Sequence, residues 1–212
     1  MNVAQLNSAT STPHLPASLN AWLDSKSTSV EIGVAAASTD DAQRILQAAA
    51  VILEQGETML RTLAPEHFGQ KVPVAFNASI GGHYRHCLDH FSSIVRSLNG
   101  TLVDYDDRER DLRIENETTF ALEVTRQLRM ALATIVPTHL HKNLVARCEV
   151  SYEHGDSPLT TSSLGRELVY CIAHAIHHYA LIAVMARLLG AQLPEHFGIA
   201  PSTVAHQKAV AA

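Results

Sequence analysis

Polar and apolar positions alternate with a helical period over four long stretches of the chain, and the residues between them are polar and turn-rich. The first stretch opens at Thr39-Asp40-Asp41, residues suited to an N-cap and first turn. It carries Ile45, Leu46, Ala49, Leu53, Met59 and Leu60 before Pro65 closes it. Ser79 caps a second helix that runs to about Asn99-Gly100, and a third runs from Thr118 to Val136, closed by Pro137. A fourth extends from Leu164 to Leu189, capped by Ser162 or Ser163 and stopped by Gly190.

The connecting segments are long. Thr101 to Thr118, with Tyr105-Asp106-Asp107-Arg108-Glu109-Arg110-Asp111, reads as a polar crossover whose alternating charges pair on a solvated surface. Between residues 143 and 161, the alternation Leu144, Ala146, Cys148, Val150 followed by Gly155 and Pro158 reads as a short β-hairpin before the last helix. The expected fold is therefore all-α, a four-helix bundle with long crossovers. Residues 1–38, rich in Ser, Thr and Ala without a sustained period, form a mobile leader, with an amphipathic piece at Leu19 to Leu23 that docks through Trp22. The helical domain spans 39–190, and 191–212 is a C-terminal tail.

Composition narrows the function. A chain of 212 residues with 46% hydrophobic and 17% charged residues suits one folded unit. A net charge of −5 supplies no basic surface for phosphate, so nucleic acid is not an expected partner. Cys87, Cys148 and Cys171 form no C-x2-C motif and no even disulfide set, which fits a reducing, cytoplasmic setting. Leu168 to Ala186 holds no Asp, Glu, Lys or Arg, yet it carries three histidines, so a helix buried in a bundle is expected there and not a membrane span. No Gly-rich phosphate loop, Rossmann fingerprint or nucleophile elbow occurs, which disfavours kinase, hydride-transfer and serine-hydrolase chemistry.

The thirteen histidines are the compositional outlier, and six fall in two short windows. In Gly82-His83-Tyr84-Arg85-His86-Cys87-Leu88-Asp89-His90 three histidines share an arc of roughly 60° on one helix face. In His174-Ala175-Ile176-His177-His178 the outer pair lies one turn apart and can converge on one ion. Two ligands leave a divalent ion under-coordinated, so one histidine of the first cluster is expected to complete the site. Face geometry admits His83, His86 and His90 alike. Three imidazoles with an open position suit one divalent transition metal, Zn, Ni or Fe. Arg85 and Tyr84 are the candidate catalytic side chains beside the ligands, with Cys171, Cys87, Asp89 and Glu167 as further neighbours. A di-iron carboxylate site would need Glu-x2-His pairs on two helices, and these are not evident.

At these residues the chain resembles the DinB-like superfamily of four-helix-bundle metalloenzymes, which includes YfiT-type thiol transferases and mycothiol-dependent isomerases. Ser79-Ile80-Gly81-Gly82-His83-Tyr84-Arg85-His86 is similar to that family's second-helix pattern, and His174-Ala175-Ile176-His177-His178 to its last-helix motif. The resemblance implies an up-down-down-up bundle over residues 39–190 and selects His86, His174 and His178 as metal ligands. It further implies a metal-dependent hydrolase or thiol S-transferase that activates water or a low-molecular-weight thiol against a small electrophile. The competing expectation is a non-catalytic metal- or ligand-binding stress-response bundle. A small-molecule substrate, no membrane partner and a homodimer complete the expectations.

Overall fold

A computed structural model of the chain describes residues 38–153 and 155–211. The expected leader and its Trp22 contact, apart from Ser38, lie outside the described residues. Helix α1 (Thr39–Thr62) is capped one residue earlier than the sequence suggests, because the Ser38 hydroxyl accepts from the Asp41 amide while Asp40 and Asp41 sit at the positive end of the helix dipole. A short helix α2 (Pro65–Phe68) follows. Helix α3 (Ile80–Ser97) starts at the Ser79 cap, whose hydroxyl accepts from Gly82 N.

The polar crossover is more structured than expected. It contains strand β1 (Leu102–Asp104) and helix α4 (Leu112–Asn116) before helix α5 (Thr118–Leu132). Helix α5 ends four residues short of the expected Val136. Pro137 forces the residue before it out of the helical region, and Val136 indeed has φ −98° and ψ 157°. A 3-10 turn, Pro137–His141, leads to strands β2 (Asn143–Arg147) and β3 (Leu159–Ser163). These form the expected hairpin pairing, with Asn143 opposite Ser163, while β1 adds a parallel partner at Leu102 opposite Val145. Helix α6 (Leu164–Leu188) follows directly, capped by Ser163, and Gly190 at φ 72° ends it.

The four long helices α1, α3, α5 and α6 form the bundle, with α3 packed on α6 and α5, and α1 packed on α5 and α6. Gly81 near the start of α3 abuts the Glu115 backbone just before α5, and Tyr84 meets Thr125, so α3 and α5 run in the same sense. His83 meets His178 and His90 meets His174, so α3 and α6 run opposite. At Gly81 a Cβ would collide with the Glu115 carbonyl, which makes that helix crossing possible only without a side chain.

One layer of the core is polar and internally satisfied. The Tyr84 hydroxyl bonds Thr125 Oγ1 at 2.8 Å and the Tyr179 hydroxyl donates to the Ile52 carbonyl at 3.1 Å. Both rings are buried and stack with centroids 6.2 Å apart. After α6 the chain does not leave the bundle at once, because Phe197 is buried and stacks on Tyr179 at 4.5 Å. A last helix, α7 (Pro201–Ala211), follows. Among the described residues α6 is long and apolar enough to cross a membrane by length and composition. Its packing on α1 and α3 is that of a bundle helix.

Candidate metal centre

Helices α3 and α6 bring three imidazoles to one point. Each of His86, His174 and His178 offers a ring nitrogen, and the three atoms lie within 4.8 Å of one another. The spacing explains the convergence: His174 and His178 stand one turn apart on α6, and His86 faces them from the antiparallel α3. The closest approach is Nε2 of His174 to Nε2 of His86, 3.0 Å. All three rings are half-buried.

Burial is the main reason these imidazoles are neutral, and mutual repulsion adds to it. His86 is held down to about 2 by burial and then by His90, His178, His174 and Arg108. His174 is lowered to about 4 and His178 to about 3, again chiefly by burial, with neighbouring histidines contributing. Neutral rings present the lone pairs that a metal needs. Three imidazoles without a carboxylate among the converging atoms make a donor set that fits a borderline-soft divalent transition ion better than Mg or Ca.

The flanking histidines act on these three. His83 Nδ1 lies 2.8 Å from His178 Nδ1, so one ring donates to the other. His90, buried, donates from Nδ1 to the His86 carbonyl at 2.9 Å and stacks on His174 at 4.2 Å between centroids. His177 sits edge-on to His178 at 5.3 Å. Burial lowers both His83 and His90.

The candidate catalytic side chains lie elsewhere than the sequence suggests. Tyr84 is turned away from the histidines into the polar core layer, because one residue is a 100° step around the helix, and burial raises its hydroxyl far above the usual value. Arg85 is committed to Asp89 at 2.9 Å and Glu115 at 3.3 Å. Cys171 is not among the converging donors: its thiol donates to the His90 carbonyl, 3.7 Å away, and burial pushes it up to about 12. Cys87 is buried likewise.

Two residues of the presumed solvated crossover reach the site instead. Tyr105 is buried, stacks on His90 at 5.0 Å and donates to Glu167 at 2.7 Å. Arg108 donates from Nη1 to His86 Nδ1 at 2.8 Å. An aromatic residue embedded in a charged run was the one sign that this segment turns inward. A cleft of about 890 Å³ opens elsewhere, between α1 and α5, lined by Leu46, Leu53, Glu57, Arg126, Arg129 and Met130. Among the described residues the converging metal-ligating groups are His86, His174 and His178 and not residues of that cleft, so the chemistry points to the histidines.

No solved structure matches the chain. Among curated proteins it is similar to "FK506-binding protein 5" of Rhizopus delemar, with 37% identity over 108 residues. That stretch is 51% of this chain and 28% of the relative, so the chain matches little more than a quarter of that protein's length. The family model of the DinB family matches residues 38–199, which includes the buried Phe197 beyond α6 as well as the four bundle helices. By that match, which covers most of its length, the chain belongs to the DinB family.

Proposed function

We propose that the chain is a metal-dependent enzyme whose mononuclear centre is held by His86, His174 and His178, acting as a hydrolase or thiol S-transferase on a small electrophile. The observation that carries this reading is the meeting of three neutral imidazoles from two helices, with ring nitrogens within 4.8 Å of one another. A divalent ion bound there would lower the pKa of a coordinated water to about 7 or keep a thiol as its thiolate. The chain's own groups do the rest. His83 orients the His178 ring through a hydrogen bond, and the His90 ring packs edge-on to His86 and stacked on His174. The stacked rings of Tyr105 and Tyr170 shield the His90 and His174 faces from water. With a net charge of −5 the reading is of a cytoplasmic enzyme for small molecules, with neither nucleic acid nor membrane as partner.

Metal analysis of the purified full chain tests the site first. About one ion per chain is expected, lost in His86→Ala, His174→Ala and His178→Ala. Full occupancy in all three variants rejects the centre. Incubating the loaded protein with low-molecular-weight thiols and electrophilic acceptors then separates an enzyme from a non-catalytic binding bundle.

A further inference from the structure

Arg108 is an arginine whose donors are mostly unpaired. Among the described residues it makes no ion pair. Of the acids nearby, Asp89 pairs with Arg85, Asp104 with Arg147, and Glu167 accepts from Tyr105 and Ser162, while Asp106 accepts from the Glu149 amide through Oδ1 and keeps a buried Oδ2 without a hydrogen-bond partner. Its Nη1 donates to a neutral imidazole, and its Nε is buried with no hydrogen-bond partner at all. A guanidinium carries five donors that match an oxyanion in a fixed fork, so this arrangement leaves most of its capacity unused.

Occupation of the centre would sharpen that mismatch. The His86 Nε2 atom faces His174 Nε2, and a ring that ligates through Nε2 carries its proton on Nδ1. Two donors, His86 Nδ1–H and Arg108 Nη1–H, would then face each other across 2.8 Å. Arg108 has to leave that bond, and a permanent cation beside a divalent ion is repelled unless an anion offsets the added charge.

We propose that Arg108 is the anion anchor of the three-histidine centre and that the substrate or thiol it accepts carries a carboxylate or comparable oxyanion. This rests on the metal-centre reading above. The guanidinium grips the anionic group and so places the reacting atom at the imidazoles. Small thiols that bear a carboxylate fit; neutral thiols of the same size do not gain the contact.

The test uses the full chain loaded with Co(II), titrated with 3-mercaptopropionate and separately with 2-mercaptoethanol, following the thiolate-to-cobalt absorption band. The acid is expected to bind at least about tenfold more tightly, the worth of one charge-assisted pair. Arg108→Gln should bring the two dissociation constants together by weakening the acid alone, and Arg108→Lys should restore part of the preference. An unchanged cobalt spectrum in the unliganded variants shows that the centre is intact. Equal affinities in the parent protein, or a preference that survives in Arg108→Gln, overturns the anchor while leaving the metal centre standing. Failure of cobalt to bind, or binding unaffected by His86→Ala, overturns the metal centre and the anchor with it.

Discussion

The α1–α5 face and the α3–α6 face of the bundle both place polar groups in the interior, but they satisfy them in opposite ways. On the first, the buried Glu57 carboxylate is ringed by Arg61 at 2.7 Å, Arg129 and, more loosely, Arg126 at 3.9 Å, whose side chains remain 34–51% exposed. The buried Glu57 charge thus has its counter-charges inside the protein. On the second face, neutral imidazoles crowd one another, and a guanidinium that forms no ion pair among the described residues points at a ring nitrogen. A self-satisfied buried charge belongs to stability, whereas convergent donors and an uncompensated cation are what a ligand completes.

Alanine substitutions on the two faces should separate these roles. The largest effect is expected from His86→Ala, His174→Ala and His178→Ala, each lowering metal affinity by at least about 100-fold, since even outer-shell partners of metal ligands contribute about 10–100-fold. Competition with a chromogenic chelator measures it. The metal-free variants should melt within a few degrees of the parent, because no ion pair is broken. Glu57→Ala should do the reverse. It removes the acceptor of two guanidiniums and the counter-charge of a third and is expected to cost about 1 to 2 kcal/mol, less than a fully buried pair because the arginines keep part of their hydration. Denaturant titration should register that loss with metal content unchanged; a fall in metal content would mean the faces are coupled.

Acid sharpens the same contrast. The three converging histidines are lowered from 6.5 to between about 2 and about 4, so the unfolded chain binds protons first as pH falls. Their neutral burial therefore contributes stability that is complete above pH 6.5 and is lost progressively as the pH drops from there through about 4 to about 2. Thermal melts of the metal-free protein at pH 7.5, 6 and 5 should show a falling midpoint, and His86→Ala should flatten the slope. An equally steep slope in that variant would locate the acid sensitivity elsewhere.

The helices and the His174/His178 pair were legible in the sequence because both are local, whereas His86 was singled out from three histidines on its face only by the family resemblance. Serine caps at 79 and 163 mark helix starts directly, and an H-x3-H spacing is a statement about one turn. What escaped notice is long-range. Strand β1 pairs in parallel with β2 more than forty residues onward, and nothing in Leu102–Asp104 announces that partner. Arg108 and Tyr105 sit in a run that alternates charge as a solvated surface does, and only the docking of β1 against β2 turns it toward His86 and His90. Tyr84 was drawn to the site by adjacency in sequence, although neighbouring helical residues point in different directions. The packing of Phe197 on Tyr179 rests on one aromatic in a polar segment, which reads as a tail until the stack is seen.

The smallest expected effect tests whether the α3–α6 face is built in shells. His83 does not belong to the converging trio, yet its Nδ1 meets His178 Nδ1 at 2.8 Å. For His178 to ligate through Nε2 it must carry a proton on Nδ1, and His83 is the acceptor that holds this tautomer and fixes the ring. His83→Ala should thus weaken metal binding by about tenfold, well short of the loss in His178→Ala. His83→Gln, whose amide oxygen can take the same hydrogen bond, should recover most of it. Chelator competition on the two variants decides the matter. A loss in His83→Ala as deep as that in His178→Ala would make His83 a ligand in its own right, and no loss at all would leave His178 oriented by the packing of α6 against α3 alone.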